Sequence, residues 1–218
     1  MDIYEALYTT RAMRRVKPDP IPADVQHRIL DAAIRAPSGG NTQDWRFLMV
    51  DDRDLIGRLA PLYRECIDML WAAIYNDRLE AAAADPDAAE SKQMMSIKKS
   101  VDYAAENFED YPLLMFSFSR GDTSGGSIYP AVWSAQLAAR AEGVGSSLTS
   151  VLMIKGDEVP NMLGVPAGED WHMAGMVPFG YPKGKWGVAK RAPVHEVAYQ
   201  NQWGTSIGTE IPEPLWPA

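Results

Sequence analysis

A continuous uncharged run at residues 111–119 constrains the fold more than any other segment of this sequence. A strand with apolar side chains at successive positions, rather than at alternate ones, is buried on both of its faces. Residues 45–50 alternate as an extended strand does, and the apolar segment at 171–181 predicts a further strand. The sequence therefore predicts a sheet in which at least one strand is enclosed on both faces.

Helical patterns separate these strands. Pro22 opens a helix with four apolar positions on one face, namely Val25, Ile29, Leu30 and Ala33. Residues 55–108 predict two helices joined by a polar turn at 85–87, and Pro130 opens a helix of small residues that lets another helix approach closely. The pattern predicts a mixed α and β domain with about four or five strands at most, and residues 1–218 are enough for one such domain.

Charge and cysteine content exclude several classes of protein. The 21 basic and 29 acidic residues give a formal net charge of −8, which argues against nucleic acid or an anionic membrane surface as a partner. One cysteine, Cys66, forms no internal disulfide and no multi-thiolate metal site, as is typical of a reducing compartment. Without an apolar leader or membrane span in its pattern, the chain is expected to be cytoplasmic.

Familiar catalytic motifs are incomplete. Residues 143–148 lack one glycine of G-x-G-x-x-G and follow a helix instead of a strand, so they do not predict a dinucleotide-binding loop. His195 and Glu196 begin a zinc motif whose second histidine is replaced by Tyr199, so no metal site is predicted. A chain with few groups for acid–base chemistry and no candidate catalytic side chain is expected to take its chemistry from a cofactor.

Three segments offer groups that could bind such a cofactor. Residues 9–18 place four cations in seven positions, and arginine side chains suit phosphate oxygens. Residues 36–45 form a loop of small hydrogen-bonding residues before a strand, and residues 180–193 contain G-Y-P followed by Lys190-Arg191-Ala192-Pro193. Each segment alone is also compatible with an ordinary surface turn.

Together, in order and in relative spacing, the three segments resemble the nitroreductase family of flavin enzymes. The helix at 128–133, with its P-A-V-W sequence, is similar to the family's central helix and closest to actinobacterial-type members. The resemblance covers nearly the whole chain. It implies an α+β fold of three layers, α-β-α, with a central, mostly antiparallel sheet flanked by helices, and an intertwined homodimer with FMN at the interface.

By this resemblance, the residues that bind FMN are Arg11, Ala12, Arg14, Pro37, Ser38, Gly39, Asn41, Gln43, Ser147, Leu148, Thr149, Lys190 and Arg191. The three arginines, Arg11, Arg14 and Arg191, would hold the phosphate and ribityl end. Ser38 and Asn41 would bind the ring and the ribityl hydroxyls.

Residues 147–149 would contact the pyrimidine side of the flavin. Two positions depart from the family pattern. Ala12 replaces a serine, so only its backbone can bind, and Asp44 replaces a proline that often precedes the tryptophan, which leaves its role open.

The resemblance implies an FMN-dependent oxidoreductase. It would take a hydride from NADPH or NADH and reduce a nitroaromatic, a quinone or a similar small aromatic acceptor in a ping-pong cycle. Reductive dehalogenation, flavin destruction and FMN storage without turnover remain alternatives. The helices at 55–108 are expected to cover the flavin, with Trp71, Tyr75, Met94, Met95, Tyr103 and Phe108 as candidate contacts to substrate. A Met and aromatic stripe at helical spacing is also typical of an ordinary core.

Overall fold

The structure is a computed structural model that describes residues 1–216. Its α-helices are α1 (Ile3–Thr9), α2 (Ala23–Ala33), α3 (Arg53–Ala73), α4 (Asn76–Ala84), α5 (Ala89–Glu106), α6 (Ile128–Ala141), α7 (Glu158–Met162) and α8 (Val194–Val197). Its strands are β1 (Trp45–Val50), β2 (Leu113–Ser119), β3 (Gly145–Ser146) and β4 (His172–Gly180).

The chain forms two compact units. The smaller unit contains residues 1–11 and the described tail from Lys185 onwards, with α1 and α8. The larger unit contains residues 12–184 and the sheet. The prediction of a single domain over residues 1–218 stays a prediction, and its last two positions, 217 and 218, lie outside the described residues.

The sheet of the larger unit has the strand order β1-β2-β4-β3, and all neighbouring strands are antiparallel. The strands predicted at 45–50, 111–119 and 171–181 are confirmed as β1, β2 and β4. With helices flanking an antiparallel sheet, the α+β prediction is also confirmed.

The uncharged run forms strand β2, whose two faces pack in different parts of the core. Leu114, Phe116 and Phe118 pack in one cluster with residues of α3 and α5. Leu113 and Met115 pack on the opposite face with residues of α2 and α6. Since side chains alternate along a strand, a run with apolar residues at successive positions supplies both faces.

Helices α2 and α6 pack on the face of β2 that carries Leu113 and Met115. The predicted apolar face of α2 is confirmed at Val25, Ile29 and Ala33, which are buried. Helix α6 begins at Ile128, two residues before Pro130, and its alanines on the same cluster (Ala131, Ala135 and Ala139) have no exposed surface. Small side chains on α6 therefore allow the close approach that the sequence predicts.

The prediction of two helices at 55–108 is wrong in number, because the structure has α3, α4 and α5 there. The break at 85–87 is confirmed, but a further break occurs at Ile74 and Tyr75. Both of their N–H groups donate to the carbonyl of Leu70, at 3.0 and 3.2 Å. Neither glycine nor proline is present at this break to indicate it. Of the helices in the described part of the chain, none is long and apolar enough to cross a membrane.

Candidate functional site

A cleft of about 490 Å³ opens in the larger unit between residues 147–151, the backbone segment that carries Arg14, and helices α3 and α5. Its lining combines a cation, several hydroxyls and an apolar wall: Arg14, Tyr63, Ile67, Leu70, Trp71, Tyr75, Ile97, Val101, Tyr129, Ser147, Leu148, Thr149, Ser150, Val151 and Ala174. This volume is in the range of small-molecule and cofactor sites. The cleft brings together four of the residues predicted to bind a cofactor, Arg14, Ser147, Leu148 and Thr149.

Contacts with the sheet edge and with α5 position Arg14. The backbone N–H of Met13 donates to the carbonyl of Ser146 at 2.9 Å, which adds the basic segment to the edge of the sheet. The hydroxyl of Tyr111 donates to the carbonyl of Arg14 at 3.0 Å. The Arg14 guanidinium lies 3.5 Å from the hydroxyl of Ser100 on α5. Arg14 is therefore held at the cleft through both its backbone carbonyl and its side chain.

Two glycines allow the basic segment to lie this close to the sheet. A Cβ atom at Gly145 would lie 2.8 Å from the Cβ of Met13, and one at Gly180 would lie 2.6 Å from the Cβ of Val16. Gly145 and Gly180 pair with each other across β3 and β4. Any larger residue at either position would push the segment that carries Arg14 away from the sheet.

The segment after β3 forms the polar side of the cleft. Thr149 and Met176 exchange two backbone hydrogen bonds, of 2.9 and 2.8 Å, which hold this segment against β4. The side chain of Thr149 also hydrogen-bonds to Tyr63. Burial raises the pKa of the Tyr63 phenol, and the hydrogen bond with Thr149 acts on this pKa in the opposite direction.

A β-bulge shapes the opposite end of the cleft. Ser117 pairs with Gly175 and Phe118 pairs with Met173, so Ala174 is the extra residue of β4. Its carbonyl accepts a hydrogen bond of 3.2 Å from the hydroxyl of Tyr129 on α6. A bulge bends the strand and changes the direction of its side chains. Ala174, the extra residue of this bulge, is part of the cleft lining.

Of the side chains predicted to contact substrate, Trp71 and Tyr75 line the cleft. Met94 is buried in the core, Met95 is half exposed and Tyr103 is half-buried, and none of these three is among the described lining residues. Their role as substrate contacts stays a prediction. Phe108, also a candidate, is fully buried against the ring of Tyr63.

The loop at 37–43 is ordered by its own hydrogen bonds. The backbone N–H of Gln43 donates to the hydroxyl of Ser38 at 3.1 Å, and the Gln43 side chain donates to the Asn41 side chain at 3.2 Å. Gly40, Asn41 and Gln43 all have positive φ, which non-glycine residues rarely adopt. The cleft lining of this protomer includes none of the predicted ligands from this loop, Pro37, Ser38, Gly39, Asn41 and Gln43.

The remaining predicted ligands lie in the smaller unit or at its boundary. Arg11, Lys190 and Arg191 are exposed, and the Arg11 guanidinium donates to the carbonyl of Lys185 at 2.8 Å. Ala12, in the larger unit, bridges to Ser146 through its backbone.

Asp44 takes part in a structural ion pair. Its carboxylate lies 2.9 Å from the guanidinium of Arg120, and its carbonyl accepts from the Arg120 N–H at 3.1 Å. These two contacts join the ends of β1 and β2. Among the described residues, no group of three or more His, Cys, Asp or Glu is arranged to hold a metal ion.

Sequence patterns identify only part of this cleft. Ile67, Leu70 and Trp71 fall on an apolar helical stripe, which by itself predicts only a core. No sequence signal predicts that Tyr63 or Ala174 lies in the cleft, because burial and a bulge bring them there.

Comparisons with known proteins agree with this architecture. Residues 7–181 match the sequence model of the Nitroreductase family. A solved structure of the FMN-dependent nitroreductase NfnB from Mycobacterium smegmatis in complex with NADPH has a TM-score of 0.65 and 22% identity. The match covers 91% of this chain and 97% of that one. At this identity the likeness shows the fold.

Two curated relatives are similar in sequence. The 5,6-dimethylbenzimidazole synthase of Rhodospirillum rubrum is 28% identical over 183 residues, which cover 84% of this chain and 83% of that protein. Iodotyrosine deiodinase 1 of Rattus norvegicus is 33% identical over 64 residues, which cover 29% of this chain. This match spans only 22% of the length of the rat protein.

Proposed function

Because the chain belongs to the nitroreductase family, we propose that it binds FMN in the Arg14 cleft and transfers electrons from NADPH or NADH to a small aromatic acceptor. The acceptor is a nitroaromatic, a quinone or a similar compound, and donor and acceptor use the cleft in turn. One observation carries the proposal: a cation, hydroxyl groups and an apolar wall line the same cleft of about 490 Å³.

The residues present fit FMN. A phosphate and ribityl end needs a cation, which Arg14 offers, and the pyrimidine edge of the ring needs hydrogen-bonding groups, which Ser147 and Thr149 offer in the same cleft. A guanidinium has five N–H donors in a planar fork, of which the contact to Ser100 uses one. A flat, apolar ring needs an apolar surface, which Leu148 and the α3 and α5 side chains offer.

When bound, FMN supplies the two-electron chemistry that links a hydride donor to the acceptor. For a nitroarene the balanced reaction is ArNO₂ + NADPH + H⁺ → ArNO + NADP⁺ + H₂O. The chain's own groups then have three roles. Arg14 stabilises negative charge in the cleft, the hydrogen bond with Tyr63 orients Thr149, and the α3 and α5 wall excludes water.

The cofactor contacts from the 37–43 loop and the smaller unit rest on the sequence resemblance. We propose a homodimer in which the 37–43 loop of one protomer contributes to the cleft of the other, because this exposed loop does not line the cleft of its own chain. The assignment of Arg11, Lys190 and Arg191 to the FMN phosphate stays a prediction of that resemblance. The single buried thiol, Cys66, supports placement in the reducing cytoplasm.

The first test is the visible spectrum of protein purified without added cofactor, followed by separate anaerobic additions of NADPH and NADH. We expect a yellow protein that one or both donors bleach. A colourless protein that does not take up added FMN would overturn the proposal.

A matched pair of variants tests the site. Arg14→Gln should weaken FMN binding by about 1.5–3 kcal/mol, or roughly 10–150-fold, because it removes a charge-assisted hydrogen bond. Arg58→Gln, at an exposed position of α3 outside the cleft lining, should leave FMN affinity unchanged. Equal affinities for the two variants, measured by quenching of FMN fluorescence, would remove Arg14 from the site.

The likeness to 5,6-dimethylbenzimidazole synthase and to iodotyrosine deiodinase 1 favours two alternative reactions at the same cleft, flavin destruction and reductive dehalogenation. Loss of the flavin spectrum in oxygen would indicate the first. Release of halide from halogenated phenols would indicate the second. A flavin that stays oxidised with both donors would instead indicate storage of FMN.

A further inference from the structure

Several contacts hold the indole of Trp71 in the apolar wall. Its Nε1–H donates to Oδ1 of Asp102 on α5 at 2.8 Å. The other carboxylate oxygen of Asp102 accepts from the ammonium of Lys98 at 2.6 Å. The Lys98 ammonium also lies 5.2 Å from the centre of the indole ring, and the ring of Tyr75 packs edge-on at 5.4 Å.

These contacts decide what Trp71 offers to a molecule in the cleft. Because Asp102 takes the only polar hydrogen of the indole, the ring can present only apolar surface. Trp71 is 8% exposed, so it has little room to turn. Planar aromatic molecules pack favourably on such a surface.

The charges of the cleft lining also favour an uncharged aromatic molecule over a charged one. Among the described lining residues, Arg14 is the only charged one (Lys, Arg, Asp or Glu). In the proposed function Arg14 serves the cofactor, and the Asp102 carboxylate is already paired with Lys98. Among its described residues, the lining that this chain supplies offers no carboxylate for the ammonium of a zwitterionic molecule and no second cation for its carboxylate, and leaving such charges unpaired is costly.

We infer that Trp71, held in place by Asp102, is the residue that selects the acceptor, and that it makes the cleft selective for flat, uncharged aromatic acceptors over aromatic amino-acid zwitterions. This inference rests on the proposed function. Trp71 contacts the acceptor, whereas Asp102 is a positioning residue that acts through the indole. The cleft then differs in kind from a site built for a halogenated tyrosine.

Two acceptors with the same reacting group test the inference. 4-Nitrotoluene and 4-nitro-L-phenylalanine share a nitrophenyl group and differ in the zwitterion. For the FMN-loaded wild type we expect kcat/KM for 4-nitrotoluene to exceed that for 4-nitro-L-phenylalanine by at least about tenfold, since every tenfold corresponds to only about 1.4 kcal/mol. In Trp71→Ala the missing indole uncovers the Asp102 carboxylate and the Lys98 ammonium that it contacts. These charges can then pair with the zwitterion, so we expect this ratio to fall below about threefold.

Variants of Asp102 separate positioning from general stability. Asp102→Asn keeps an oxygen that accepts from the indole N–H, so it should retain most of the wild-type preference. Asp102→Ala removes that acceptor, should lower the preference and should raise KM for 4-nitrotoluene more than it changes kcat. Met69→Ala, on the exposed face of α3 outside the cleft lining, is the control and should behave as wild type.

Flavin content and the rate of flavin reduction by NADPH are measured for every variant. Normal flavin reduction with an unchanged acceptor preference in both Trp71→Ala and Asp102→Ala would overturn this inference and leave the proposed function intact. Absence of bound flavin or of its reduction in the wild type would overturn both. Equal losses in Asp102→Asn and Asp102→Ala would overturn the positioning role.

Discussion

Gly180→Ala tests how the sheet holds the segment that carries Arg14. The added Cβ would lie 2.6 Å from the Cβ of Val16 and 2.7 Å from its Cγ2. Val16 is 3% exposed and bridges to Pro182, so it cannot move without disturbing the edge of the sheet.

The geometry sets the size of the effect. Aliphatic carbons attract best at about 3.5–4.0 Å, so the new methyl group is roughly 1 Å too close. Overpacking of this kind typically costs about 1–3 kcal/mol of unfolding free energy. Val16→Ala removes the Cγ atoms at 2.7 and 3.2 Å, so Gly180→Ala should cost at least about 0.5 kcal/mol less in that background.

Urea unfolding at pH 7, followed by circular dichroism on FMN-free protein, measures the cost. Gly184→Ala is the matched control, because no heavy atom lies within 4 Å of its added Cβ. Gly180→Ala should also weaken FMN binding, since the displaced segment carries Arg14, whereas Gly184→Ala should not. Equal unfolding midpoints and equal FMN affinities for the two variants would refute the close approach.

Three further predictions concern the larger unit. Cys66 has no exposed surface and burial raises the pKa of its thiol, so iodoacetamide at pH 8 should label the native protein far more slowly than the urea-unfolded protein; equal rates would contradict its burial. The Arg64 guanidinium lowers the pKa of Glu109, so the pair stabilises the fold above the ordinary glutamate pKa of about 4.3 and loses this effect as the pH falls through the lowered value. Because both side chains are more than a third exposed, Glu109→Gln should cost only about 0.2–1 kcal/mol at pH 7 in urea titrations. This cost should shrink as the pH falls through the lowered pKa of Glu109, and an undiminished cost in acid would exclude the pair as its cause. Leu59→Ala, at a side chain with no exposed surface, should lower the unfolding free energy by about 2–5 kcal/mol, and a loss below 1 kcal/mol would show that the site collapses or is less packed than described.

Local chemistry made several elements predictable. The uncharged β2, the apolar face of α2 and the alanines of α6 depend on side-chain periodicity, which the sequence displays directly. The additional break at Ile74 and Tyr75 was not predictable from turn residues. The structure shows it as two N–H groups that donate to the one carbonyl of Leu70, with no glycine or proline at the break.

Periodicity and short motifs are local properties, so the α+β class, the strands at the centre of the sheet and the family could be inferred from the amino-acid sequence. Which residues share the cleft depends on tertiary packing. Arg14 meets residues 147–149 because Gly145 and Gly180 permit a close backbone approach, and Trp71 meets Asp102 because α3 packs on α5. Such meetings join residues far apart in the chain, and their geometry is set by the packing of the whole larger unit.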